Sequence, residues 1–250
     1  MLVSVDSSSA IFGFQHGGPS NSSFRNAEAA HNQVRDGRFE NLYSRLNGMK
    51  QAKNILKNYQ FLNHPSLILT SPLRRTIQTV LKAFHPSFNR IAAKRFPTCP
   101  RIIAFPHLQE CSELPSDTGL SLAFLKSEYG QYIEFPDEFF SEDWFIKEGT
   151  WLASNHDLII SRAEFVRKFI LEQTSQEVIV MTHGNFAHFL VNRWFDEPGW
   201  EPSLFYNLHN ACGTVMVLKK KQSQESDYEM REEMPAWFEK ESKEQQSTKV

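Results

Sequence analysis

Four short apolar runs punctuate the chain: Ala10–Phe14, Leu67–Thr70, Ile102–Phe105 and Val178–Thr182. Each is rich in β-branched or aromatic residues and is bounded by polar or turn-forming residues, which predicts a strand. The runs are continuous rather than alternating, as suits strands buried on both faces of a parallel sheet. A fifth run, Thr214–Leu218, is expected at the sheet edge. Between the runs the apolar residues recur at helical spacing. Leu73, Ile77, Val80, Leu81 and Phe84 share one helix face, as do Phe186, Leu190 and Trp194, and Leu46 to Leu56 and Ile159 to Leu171 are further helix candidates. Ser71-Pro72 is expected to open the helix after the second run, as a capping residue followed by proline in the first turn. Strands alternating with helices predict an α/β fold: a three-layer sandwich with a mostly parallel central sheet flanked by helices and right-handed crossovers.

The length, 250 residues, suits a single domain with a substantial core. The expected division is a domain over residues 1–220, interrupted by an aromatic-rich insertion at about 130–155, and a charged, mobile tail over 221–250. Net charge is −2, so no overall basic field calls for nucleic acid. The cysteines, Cys99, Cys111 and Cys212, have no metal or disulfide spacing and are expected to be reduced thiols in an intracellular protein. The start of the chain has no basic, then apolar, secretory pattern, and no segment is long and apolar enough for a membrane span, so a cytoplasmic (or also nuclear) location is expected.

Polar, ionisable residues follow each of the four runs: Gln15-His16-Gly17-Gly18, Ser71-Pro72-Leu73-Arg74-Arg75, His107-Leu108-Gln109-Glu110 and His183-Gly184-Asn185. Ligands of open α/β sheets bind beyond the carboxyl ends of the strands, so these segments would converge on one cleft if the strands are neighbours. Taken singly, a His-Gly pair is a turn, Arg74 and Arg75 a solvated helix start, and Glu110 a surface acid with Glu113 close enough to compete for any role. Their joint order is what carries information. His188, His31, His64, His85, His156 and His209 belong to no such motif.

In that order the segments resemble the histidine phosphatase superfamily, in its phosphoglycerate-mutase-like branch and most closely the fungal-type members. Gln15-His16-Gly17 stands where the family has Arg-His-Gly. Ser71 to Thr79 follows the family's Ser-Pro-Leu-x-Arg-Ala-x-Gln-Thr, placing its arginine on Arg75. Gly48 to Ala52 matches Gly-x-x-Gln-Ala. Leu108-Gln109-Glu110 with Asp117-Thr118-Gly119 resembles the segment supplying the acid, and Val178 to Gly184 matches the last motif. The resemblance implies a phosphoglycerate-mutase-like fold and a phosphatase acting on a small phosphate monoester. It implies His16 as nucleophile and phosphohistidine carrier, Arg75 and His183 as phosphate donors, and Glu110 as the proton donor to the leaving oxygen. Gln15, Gly17, Asn21, Ser22 and Gly184 are expected to line the phosphate. The expected partner is a small phosphorylated molecule, with no nucleic acid, membrane, metal or cofactor.

Phosphoryl transfer is mostly positioning and charge stabilisation, so position 15 matters most. Glutamine there removes a bidentate guanidinium contact, and losing one such donor typically costs on the order of 10²–10³ in rate. Arg25, Arg35 or Arg38 in the following segment are candidates to compensate. Three readings follow: a working phosphomonoesterase, a pseudo-phosphatase that binds anions or a protein partner, and an enzyme using the cleft for non-phosphate chemistry. A mutase is disfavoured because the insertion has no basic cluster for a bisphosphate. The aromatic stretch Phe135–Trp151 leans the substrate toward something partly apolar.

Overall fold

A computed structural model describes residues 2–4, 10–13, 46–58, 65–147, 155–174, 177–191, 214–220 and 228–233. Strands β1 (Leu2–Ser4), β2 (Ala10–Gly13), β3 (Leu67–Thr70), β4 (Arg101–Ala104), β5 (Glu177–Met181), β6 (Thr214–Lys220) and β7 (Tyr228–Glu233) form one sheet in the order β4-β3-β5-β2-β1-β6-β7. The block β4-β3-β5-β2 is parallel throughout. Beyond it the sheet is mixed, since β1 runs antiparallel to β2 but parallel to β6, and β7 closes the edge antiparallel to β6.

The helices are α1 (Leu46–Asn58), α2 (Arg74–Phe84), α3 (Arg90–Arg95), α4 (Leu122–Tyr129), α5 (His156–Leu171) and α6 (Gly184–Leu190). They pack in two groups, α1 with α2 and α3, and α5 with α6, and flank the sheet as an α/β sandwich. Every residue of β3 is buried, as are Val178 to Met181 of β5, which is why these strands read as unbroken apolar runs. Ile77, Val80 and Phe84 are at most 1 % exposed on the buried face of α2. Each such side chain contributes roughly 1.5–3 kcal/mol relative to exposure.

Three sequence expectations need correcting. Ser71 does not cap α2: the helix begins at Arg74 with Leu73 at the N-cap, and the Ser71 hydroxyl accepts from the Leu73 N–H instead. The charged tail expected from residue 221 contains a strand at Tyr228–Glu233, where Tyr228 and Met230 pack against the core from alternate positions. The buried Arg167 guanidinium donates to the Tyr228 hydroxyl and, at 2.9 Å, to the Phe189 carbonyl, tying β7 to α5 and α6. The aromatic stretch from Phe135, as far as it is described, is core rather than a substrate surface. Phe135, Phe140 and Trp144 are buried, and Phe139 packs edge-on against Phe105 and Phe169.

That stretch is anchored to the sheet. Glu134 exchanges backbone hydrogen bonds of 2.9 Å with Ile102 and Ala104 beside β4. Trp144 donates to the Leu120 carbonyl at 3.0 Å, and the Trp144 carbonyl accepts from the buried Gln109 amide at 3.3 Å. The segment carrying Glu110 is therefore braced from the far side.

Candidate active site

The register of β3 against β5 pairs Thr70 with Met181, so the residues just beyond each strand emerge side by side. The Ser71 N–H donates to the Met181 carbonyl at 2.9 Å, extending the ladder by one step. His183, the N-cap residue of α6, then lies against Ser71, with its Nε2 2.8 Å from the hydroxyl oxygen. Its Nδ1 is 3.0 Å from Nη2 of Arg75. A guanidinium can only donate, so Nδ1 is the acceptor and Nε2 carries the proton toward Ser71. The four residues Ser71, Arg75, His183 and Gly184 are all buried.

Arg75 is 2 % exposed and has further partners. Its Nη2 donates to Asp117 Oδ1 at 2.7 Å, and its Nη1 donates to the Ser116 carbonyl. The second Asp117 oxygen accepts from the Ser112 hydroxyl. Burial opposes the Asp117 carboxylate, but the Arg75 and Lys147 charges and the Ser112 hydroxyl outweigh it and hold its pKa below the usual value. Arg74 is buried as well, paired with Glu128 at 3.0 Å and lying over the Phe124 ring.

Glu110 is 6 % exposed, whereas its competitor Glu113 faces solvent. Oε1 of Glu110 accepts the Cys111 and Phe186 N–H groups at 2.9 and 3.1 Å. Oε2 takes a longer contact, 3.4 Å, from the Asn185 N–H. Oε2 is thus the less committed oxygen. The histidine that follows β4, His107, is packed between Phe105 and Phe165, and burial, aided by the Arg162 charge, lowers its pKa to about 3.

Two buried cations close to Glu110 were not foreseen. Lys147 is 3 % exposed, and its ammonium donates to the carbonyls of Ser112 and, at 2.9 Å, Asp117. Burial lowers its pKa to about 8 against the opposing pull of Asp117 and Glu110. Arg162 on α5 is fully buried, 4.2 Å over the Phe186 ring and 3.7 Å from Cys111 Sγ. The Cys111 thiol is raised well above its ordinary pKa by burial and the neighbouring Glu110 charge. Neither cation belongs to a sequence motif, since Lys147 sits in the aromatic-rich stretch and Arg162 within the Ile159 to Leu171 helix candidate.

The structure thus brings Arg75, Glu110, His183 and Gly184 to the carboxyl ends of the parallel strands, where an oxyanion can meet guanidinium and imidazole donors together. Gln15, His16, Gly17, Asn21 and Ser22 lie outside the described residues, as do Arg25, Arg35 and Arg38. Cys99 and Cys111 are free thiols, and no group of His, Cys, Asp and Glu among the described residues is arranged to hold a metal ion. No described helix is long and apolar enough to cross a membrane.

Residues 45–230, about three quarters of the chain, match the profile of the histidine phosphatase superfamily (branch 1). The chain belongs to that superfamily. The match begins after the Gln15-His16-Gly17 motif. The ecdysone phosphate phosphatase of Bombix mori, solved with tungstate, is similar in fold, with TM-score 0.51 and 13 % identity over 90 % of each chain. A phosphoserine phosphatase from Entamoeba histolytica, solved with 3-phosphoglyceric acid, gives TM-score 0.48 at 13 % identity, covering 85 % of this chain and 95 % of that one. The alpha-ribazole phosphatase of Shigella flexneri gives 0.46 at 15 % identity, covering 84 % and 93 %. No curated protein matches the sequence.

Proposed function

We propose that this superfamily member is a phosphatase that hydrolyses a small phosphate monoester through a phosphohistidine on His16. The observation that carries the reading is the buried contact between Arg75 and His183, with Glu110 held against the start of the same helix, α6. In the reaction, a neutral His16 imidazole attacks phosphorus and the ester oxygen leaves with the proton donated by Glu110. The Glu110 carboxylate then takes a proton from water, whose oxygen attacks the phosphohistidine and releases phosphate and free His16. Arg75 neutralises charge on the equatorial oxygens and the His183 Nε2–H donates to them in both steps, and Gln15, Gly17, Asn21, Ser22 and Gly184 complete the phosphate shell. Binding asks the anion to replace internal acceptors, the Asp117 carboxylate at Arg75 and the Ser71 hydroxyl at His183. Placement among the fungal-type members rests on Leu108-Gln109-Glu110 and Asp117-Thr118-Gly119.

A second reading, an anion- or protein-binding module without turnover, is favoured by Gln15 and by the Asp117 carboxylate already seated on Arg75. Hydrolysis of an aryl phosphate across about pH 4–8 separates the two. Turnover by the wild type, abolished in His16→Ala together with the trapped phosphohistidine, is the expected result. An inert wild type that gains activity as Gln15→Arg would sink the phosphatase reading and leave a binder or other chemistry in the same cleft.

A further inference from the structure

The 112–117 segment is the frame in which Arg75 sits: Ser116 supplies a carbonyl and Asp117 a carboxylate to the guanidinium, and Ser112 steadies that carboxylate. Lys147 reaches into this frame from the other end of the aromatic stretch. Its donors go to the backbone carbonyls at either end of the segment, Ser112 and Asp117. A carbonyl needs only a neutral donor, and burying an ammonium is costly before compensation. A lysine here therefore brings more than a hydrogen bond. It places a full positive charge in the same buried cluster as Arg75, Asp117 and Glu110.

Resting on the phosphatase reading, we infer that Lys147 is a positioning residue of the anion site. It pins the 112–117 segment so that Arg75 is held toward His183, and its charge adds to that of Arg75 in attracting the substrate's phosphate. When the phosphate displaces Asp117 from Arg75, the freed carboxylate keeps a cationic neighbour in Lys147, so the exchange does not strand a buried charge. This is a way for the site to recover part of the positive charge that Gln15 withholds.

The groups facing the ammonium are Asp117 and Glu110, which favour its charge, Arg162, which opposes it, and the Cys111 thiol. Because burial lowers the ammonium's pKa to about 8, the cation is complete below that pH and is lost above it. The second pKa of a phosphate monoester is near 6, so a limb centred at about pH 8 belongs to the protein.

The test compares wild type, Lys147→Gln, Lys147→Met and a surface control, Lys126→Gln, whose lysine pairs with the exposed Asp137. Aryl phosphate kinetics from about pH 6 to 9.5 and calorimetric titration with inorganic phosphate supply the readouts. Lys147→Gln, whose amide still reaches one carbonyl, is expected to raise KM and the phosphate Kd roughly tenfold, with a smaller fall in kcat. It should also lose the wild-type decline of kcat/KM above about pH 8. The control should match wild type. Unchanged KM, phosphate Kd and alkaline limb in a folded Lys147→Gln would overturn the inference, even if Lys147→Met fails to fold. A wild type that neither turns over nor binds phosphate would instead remove the phosphatase reading. Amide exchange over 112–117 then decides the positioning role, faster exchange in Lys147→Gln supporting it and unchanged exchange refuting it.

Discussion

Replacing Asp117 by asparagine removes one charge from a buried pair without changing its shape. In the wild type, Asp117 Oδ1 and Arg75 Nη2 are 2.7 Å apart, and Arg75 is 2 % exposed. Leaving one partner of such a pair uncompensated costs about 3–5 kcal/mol. Arg75 retains the Ser116 carbonyl and His183 Nδ1, and the asparagine oxygen can still accept, so the lower end, about 3 kcal/mol, applies. For a chain of this size that corresponds to a fall in Tm of roughly 6–12 °C. Thermal and urea unfolding in phosphate-free buffer at neutral pH measure it. Added phosphate should then stabilise Asp117→Asn more than wild type, because the guanidinium no longer has an internal anion to surrender. At a hundredfold excess over Kd the gain is about 2.7 kcal/mol. The pH dependence has a definite sign. The folded pKa of Asp117 lies below the unfolded value near 3.8, so its contribution is complete above that pH and lost as the pH falls through the folded value. The gap between variant and wild type should close in acid. A loss under about 1 kcal/mol, or equal phosphate stabilisation of both proteins, would refute the reasoning.

Glu110→Gln should keep the fold, since an amide oxygen can accept from Phe186, while lowering kcat about 10²–10⁴-fold on a poor leaving group; activity and circular dichroism together check it. Gly119→Ala would drive a methyl into the Trp144 ring, so a loss of about 1–3 kcal/mol and a quenched or shifted indole fluorescence are expected on denaturant unfolding. Tyr228→Phe removes the hydroxyl that accepts from Arg167 and should cost about 1 kcal/mol, with faster amide exchange confined to β7 and its β6 partner.

The parallel strands were legible because burial on both faces leaves unbroken apolar runs, and α2 because its buried face repeats at helical spacing. Arg75, His183 and Glu110 were legible as motif positions at strand ends. Strand β7 was not, because Tyr-Glu-Met-Arg-Glu-Glu hides a two-residue alternation under a charged composition. Lys147 was illegible for a different reason: two of the acceptors of its ammonium are backbone carbonyls, which every residue possesses and which leave no mark in the sequence. Asp117 could be placed in a motif, but its bond to Arg75 spans 42 residues, a separation that no local pattern encodes.

The pairing of Thr70 with Met181 also governs when the site comes into being. Ser71 and His183 are 112 residues apart in the chain, and they meet only if those two strands align in that one register. A slip of a single residue would carry His183 about 3.3 Å along the sheet and turn its side chain to the other face. Parallel pairings between distant segments close late, after the loop entropy between them has been overcome. A refolding chain would therefore recover phosphate affinity only once β3 and β5 have paired in that register.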